Sequence, residues 1–196
     1  AVTYGCYGGP EVLAYVDVPM PVPKEDEVLV KVHAAGVNPL DWHFMRGSPF
    51  VMRLMTGIGA PGDASMGRDF AGEVQAIGEK VTRFKPGDRV FGGANGAFAE
   101  YLVRGETGSI ALVPDNVSFE QAAAVPVAAS TALQALRDSG QLQAGQKVLI
   151  NGSSGGVGTY AVQIAKSLGA EVHGVNSTRN VEMVLGLGAD HVFDYK

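Results

Sequence analysis

The sequence predicts an α/β protein in two parts, a compact and partly closed antiparallel β-barrel followed by half of a doubly wound parallel sheet. Three observations carry this expectation. Residues 1–35 and 68–104 consist of short alternating runs, among them Val2 to Tyr7, Val12 to Val18, Val28 to His33 and Phe70 to Ile77, and these are punctuated by Gly8-Gly9-Pro10, Pro19 to Pro23 and Lys85-Pro86-Gly87-Asp88. Many short strands between glycine and proline turns are the pattern of a small barrel. Residues 118–139 are rich in alanine and read as helix. Residues 147–180 read as strand, glycine turn, helix and strand, the unit from which parallel sheets are built.

Taken in order, the first strands lead to Asn38-Pro39, a turn after which Asp41 is expected to cap a short helix. Ser48 to Ile58 has a capping serine, a proline at the first helical position and apolar residues at 50, 51, 54, 55 and 58. It predicts a short helix with one apolar face, packed on the barrel or acting as a lid in which Met52 and Met55 contact substrate. Arg89 to Phe91 and Phe98 to Val103 complete the barrel around the turn Gly92 to Gly96. Pro114-Asp115-Asn116 marks a turn and Ser118-x-x-Gln121 a capping box, and Pro126 interrupts the helices that follow. These signals place the domain boundary between residues 1–117 and 118–196.

In the second part Val148-Leu149-Ile150 is wholly apolar, as expected of a strand buried on both faces. Ala161, Ile164, Ala165 and Leu168 recur at helical spacing up to Gly169. Glu171 to Asn176 and Asp190 to Asp194 give the second and third strands. The chain begins inside a strand without methionine and stops just after the third parallel strand, so it is expected to be a truncated piece of a longer protein.

Composition narrows the function. The net charge is −5 and the lysines and arginines are scattered, which argues against nucleic acid as a partner. Cys6 is the single cysteine, leaving no internal disulfide and no cysteine-rich zinc site. No apolar stretch approaches the ~18 residues needed to span a bilayer, and Glu11 and Asp17 fall where a signal peptide would be uncharged. A cytoplasmic location is expected.

The glycine turn carries the cofactor expectation. Glycines stand at 152, 155 and 158, and Ser153 occupies the place of the first glycine of a G-x-G-x-x-G fingerprint. A pyrophosphate can sit on a helix N-terminus only where free N–H groups point at it and no Cβ blocks the approach. Ser153, Ser154, Gly155, Gly156 and Val157 are therefore candidate cofactor-binding residues, with Gly158 letting the helix press on the strand. About 20 residues further on, where an NAD-selective site has an acid, the chain has Asn176-Ser177-Thr178-Arg179. Ser177, Thr178 and Arg179 could hold the 2′-phosphate of NADPH through two hydroxyls and a charged fork; capping of the next helix is the competing account.

The blocks NGSSGGVGTYAVQIAKSLGA at 151–170, GVNPLDWHFMRG at 36–47 and GRDFAGEVQAIGEKVTRFKPGDRVFG at 67–92 resemble the medium-chain dehydrogenase/reductase superfamily, most nearly its zinc-independent quinone oxidoreductase branch with the zeta-crystallin-like proteins. The resemblance implies a GroES-like β-barrel domain and an incomplete Rossmann domain, NADPH as cofactor, a small quinone or α,β-unsaturated carbonyl as substrate, and a homo-oligomer, a dimer, in the full-length protein. Zinc-dependent relatives need a cysteine near Asn38 and a histidine at Arg68, so no catalytic zinc is expected. His33, His43, His173 and His191 show no metal-ligand spacing along the chain. Without metal, Asn38 is a candidate catalytic donor to the substrate oxygen. By the resemblance His43 stands where many quinone reductases carry tyrosine, and Thr131 lies at a position close to the nicotinamide; a capping histidine and a helix-packing threonine are the alternatives. A non-catalytic homologue that merely holds the cofactor is the second functional class.

Overall fold

A computed structural model describes residues 1–196, the side chain of Met55 excepted. The chain divides into two compact units, Ala1–Val127 and Ala128–Lys196.

In the first unit, β1 (Val2–Tyr4) and β2 (Leu13–Tyr15) form an antiparallel ribbon. A five-stranded antiparallel sheet contains β3 (Glu27–Gly36), β4 (Asp69–Ile77), β5 (Arg89–Gly93), β6 (Tyr101–Gly105) and β7 (Ile110–Leu112) in the order β6-β3-β4-β5-β7. The expected barrel is thus an open sheet. Register shifts at Leu29/Val30 and Val32/Ala34 bend β3 over β4, while β1 is tied to neighbouring loops by Val2 N–H to Phe98 O (2.8 Å) and Tyr4 N–H to Ala64 O (2.9 Å) instead of by a continuous ladder. The alternation that marked the strands places Val28, Val30, Phe70, Val74 and Val90 on the buried side, each with no exposure. Each contributes roughly 1.5–3 kcal/mol of apolar transfer.

Between β3 and β4 lie α1 (Pro39–Arg46) and α2 (Arg53–Thr56), the latter preceded by a 3₁₀ turn at Phe50–Met52. The expected apolar face of the 48–58 segment does not pack on the sheet, since Phe50, Val51, Leu54 and Ile58 are all more than half exposed. A four-residue helix is too short to bury a stripe. Its anchor is polar: Arg53 donates to Gly47 O at 3.1 Å and stacks on Tyr7 at 4.5 Å. The expectation for Met55 as a substrate contact lies outside the described side chains.

The capping box opens α3 (Phe119–Ala123), with Gln121 N–H to Ser118 Oγ at 3.2 Å and Ser118 N–H to Gln121 Oε1 at 3.0 Å. Ala122 and Ala123 bury against Ala71 and Val113, so α3 packs with the first unit although the sequence signals put the boundary before it. Pro126, lacking an N–H, starts α4 (Pro126–Leu133), which runs into a π-helical turn at Gln134–Ser139.

The second unit is a three-stranded parallel sheet, ordered β10-β9-β8, of β8 (Lys147–Asn151), β9 (Glu171–Asn176) and β10 (His191–Asp194), connected by α5 (Gly156–Ser167) and α6 (Val181–Gly186). Val162, Ala165, Val172 and Val184 form its core with Ala132 and Leu136. One correction concerns β8. Ile150 is buried but Leu149 is 64% exposed, because α5 and α6 pack on one face and leave the other open.

The contact between α5 and the turn before it admits no side chain. A Cβ on Gly158 would stand 2.2 Å from Gly152 O and 2.8 Å from Ser153 Cα, whereas a Cβ on Gly156 would meet nothing within 4 Å. Gly158→Ala is expected to lower unfolding free energy by roughly 1–3 kcal/mol through overpacking, and Gly156→Ala to stay within about 1 kcal/mol of wild type. Urea denaturation of both variants checks the contrast; equal midpoints would dismiss the close approach.

Candidate functional site

β8 ends at Asn151, and Gly152, at φ +74°, turns the chain toward α5. Gly152 N–H and Ser153 N–H both donate to Val175 O, at 3.0 and 3.2 Å. Ser153 has no exposure, and its hydroxyl donates to Asn176 Oδ1 at 2.8 Å. Ser153 is therefore a structural tie between the turn and β9 rather than a ligand contact, which corrects its place among the cofactor residues. Gly155 caps α5, and its own N–H is held by Gly152 O at 2.9 Å. Gly156 and Val157 are exposed at the first two helical positions, where N–H groups have no intrahelical acceptor. A twelve-residue helix adds a partial positive charge at this end. The open space at Gly156 and the exposed first turn suit a pyrophosphate.

The expected 2′-phosphate contacts follow β9. Arg179 and Thr178 are exposed and Ser177 is half-buried. Thr178 donates its hydroxyl to Asp194, a contact that together with Lys196 N–H holds the Asp194 carboxyl below the usual range. The sequence reading saw no carboxylate near this place. β10 brings one there, because Asp194 pairs in register with Asn176. Asn180, which the sequence reading passed over, donates through Nδ2 to Ser154 Oγ at 3.0 Å and lies 3.5 Å from Ser177 Oγ, joining the glycine turn to the segment after β9. Its distance of 26 residues from Ser154 hid it; only the βαβ register brings them together. Thr131 lies exposed on α4.

In the first unit Asn38 and Asp69 form the polar centre. Asn38 caps α1, and Asp41, expected as the cap, sits instead at the third helical position, where it accepts Asn38 N–H at 2.8 Å. The Asn38 amide donates to Asp69 Oδ2 at 3.0 Å, and both Asp69 oxygens lie 3.1 Å from Val127 N–H. One of the two Asn38 amide hydrogens is therefore committed to a buried carboxylate. Burial pushes the Asp69 carboxyl above the usual carboxylate range, against the lowering by Asn38 and Val127. Burial raises Asp41 as well, and its Oδ1 has no partner among the described residues. His43 is half-buried, with Nδ1 donating to Ser48 O at 2.8 Å; a neutral ring then presents Nε2 as an acceptor, and only the imidazolium donates there.

Arg68 stacks over Phe44 at 3.9 Å and donates to Asn95, which donates in turn to Asp63 at 2.7 Å. These residues with Tyr4 and Thr56 line a cavity of about 320 Å³. A guanidinium at 68 and a committed amide at 38 do not suit a catalytic zinc, whose ligands are thiolate, imidazole or carboxylate.

Residues 24–115 match the family described as the alcohol dehydrogenase GroES-like domain, and residues 156–196 match the zinc-binding dehydrogenase family. A quinone-oxidoreductase homolog, chloroplastic, from Spinacia oleracea is 42% identical over the whole chain, which covers 61% of that protein. The quinone oxidoreductase of Coxiella burnetii superposes with a TM-score of 0.89 at 36% identity, covering 100% of this chain and 62% of that one. The Escherichia coli quinone oxidoreductase complexed with NADPH gives a TM-score of 0.84 at 32% identity, over 99% of this chain and 58% of that one. The chain thus spans about three fifths of the length of the relatives it matches.

The Asp69 network makes a pH-dependent contribution. Because the folded-state carboxyl titrates above the unfolded one, the folded protein binds the proton more tightly, and stability falls as pH rises through the folded value. Asp69→Asn cannot lose that proton, so its stability relative to wild type is expected to improve as pH rises from about 4 to about 7. Urea unfolding of both proteins across that window measures it; a constant gap would show that Asp69 does not titrate there.

Proposed function

The chain belongs to the medium-chain dehydrogenase/reductase superfamily, among the quinone oxidoreductases, and from that premise we propose that it is an NADPH-dependent, zinc-independent reductase of quinones or α,β-unsaturated carbonyls. The observation that carries this reading is the cofactor end of the parallel sheet. An open helix N-terminus at Gly156 and Val157 stands with Ser177 and Arg179, and β9 ends on Asn176 instead of an acid.

When bound, the nicotinamide supplies a hydride to an electron-poor acceptor. Gly156 and Val157 N–H groups would hold the pyrophosphate, and the Arg179 guanidinium with the Ser177 hydroxyl would hold the 2′-phosphate. Thr178 is a weaker donor than the sequence implies, since Asp194 already takes its hydroxyl. Toward the substrate oxygen, His43 Nε2 and the second Asn38 amide hydrogen are the groups left to act.

With NADPH, Arg179→Ala is expected to lower kcat/KM by about tenfold or more, the worth of a charge-assisted hydrogen bond, and to leave NADH almost unchanged. Steady-state kinetics with a small quinone decides it. A wild type that prefers NADH sinks the assignment, and cofactor quenching of Trp42 fluorescence without turnover favours the non-catalytic class. His43→Ala should reduce kcat by about 10²-fold with little change in cofactor affinity; wild-type turnover across quinones and enones would make His43 purely structural.

A further inference from the structure

The open face of the parallel sheet brings together three groups that are far apart in sequence. Glu171 and His173 are two residues apart on β9, so their side chains leave the same face. The parallel register then sets His191 of β10 directly beside His173. Glu171 Oε1 lies 2.7 Å from His173 Nε2 and 3.8 Å from His191 Nε2, and one ligand atom from each residue fits within 4.8 Å of the others. The sequence reading found no ligand spacing here, because the third member arrives only through strand pairing.

We propose that Glu171, His173 and His191 form a binding site for one dication of the zinc class, with two imidazole nitrogens, one carboxylate oxygen and water. A tetrahedral ion with bonds of about 2.0–2.1 Å has ligand-to-ligand edges of about 3.3 Å, between the two separations observed. The ion takes the place of the proton that His173 Nε2 now shares with Glu171. The His173 ring is flanked from β10, its centroid lying 4.7 Å from that of His191 and 5.9 Å from that of Phe193. The three side chains are 34%, 20% and 60% exposed, so an ion reaches them from solvent.

The donor set selects the ion. Two imidazoles with a single carboxylate suit zinc, cobalt or nickel and offer too few oxygens for magnesium or calcium. Lys147, paired with Glu171 in register across β8, holds Glu171 Oε1 at 3.1 Å and opposes a dication. Asp190, which precedes His191 in the chain, is engaged by Lys166 and by Val172 N–H. Glu171 opens β9 and Asn176 closes it, so the site lies about 17 Å along the strand from the cofactor end. It is separate from the proposed redox chemistry, and its effect is to clip β9 to β10 and stabilise the folded second unit.

Calorimetric titration of the protein with Zn²⁺, and with Co²⁺ followed by visible absorption, tests this. The expected result is one ion per chain at micromolar or tighter affinity, no comparable binding of Mg²⁺, and a higher thermal midpoint with Zn²⁺. Affinity should fall at least tenfold in His191→Ala, whose exposed side chain supports no core, and rise in Lys147→Met. Unchanged Zn²⁺ binding in both His191→Ala and His173→Ala would place the ion elsewhere and overturn the proposal. Absence of binding at millimolar Zn²⁺ would overturn it as well.

Discussion

The second unit depends on a contact in which a side chain would not fit. With only hydrogen at position 158, the first turn of α5 rests on Gly152 and Ser153. Gly174 allows the same approach from β9, where a Cβ would lie 2.9 Å from Ser153 Oγ. Ser153 is thereby enclosed between two glycines, and a buried hydroxyl must be paired or cost about 1–3 kcal/mol. The partners available are Val175 O and Asn176 Oδ1, both at the end of β9. One steric requirement thus fixes the height of α5 over the sheet, the position of the glycine turn and the end of β9. The N–H groups that face outward from Gly156 and Val157 are a consequence of it.

Asp69 has the corresponding role in the first unit. It begins β4, opposite Gly36 at the end of β3, and its carboxylate gathers Asn38 just after β3 and Val127 at the start of α4. Burying a carboxylate is costly unless donors surround it. Three contacts from two N–H donors go some way to offset that cost, while burial still pushes the carboxyl above its usual range. This accounts for the structural side of Asn38: its backbone opens α1 while its amide serves the buried acid.

What could be read from the sequence follows from the range of the interactions involved. Turns, caps and helix ends depend on residues within about four positions, and Ser118-x-x-Gln121, Gly169 at φ +80° and the break at Pro126 all appear where local chemistry puts them. The alternation of β3 and β4 was legible because one face of each carries fully buried side chains, Val28 and Val30 on β3 and Phe70 and Val74 on β4. That the sheet stays open was not, because bulges in β3 and hydrogen bonds from β1 to loops leave no mark in residue periodicity. The exposed face of β8 was misread because an apolar run does not tell whether one or two faces are covered. At the site, Arg179 and the glycine turn were visible, whereas Ser153 looked like a ligand contact until its hydroxyl was seen to be enclosed. Asn180 and Asp194 enter through register alone.

The presence of Asp194 beside the segment expected to hold a phosphate calls for a comparison of magnitudes. A carboxylate and a phosphate charge facing each other across exposed and hydrated surface repel only weakly, and salt reduces this further. A guanidinium hydrogen bond to phosphate is worth about 1.5–3 kcal/mol. The attraction exceeds the repulsion. Asp194 is moreover occupied by the Thr178 hydroxyl and Lys196 N–H. The acid on β10 therefore removes one hydroxyl from the expected anion site, and the proposed preference for NADPH rests on Arg179 and Ser177.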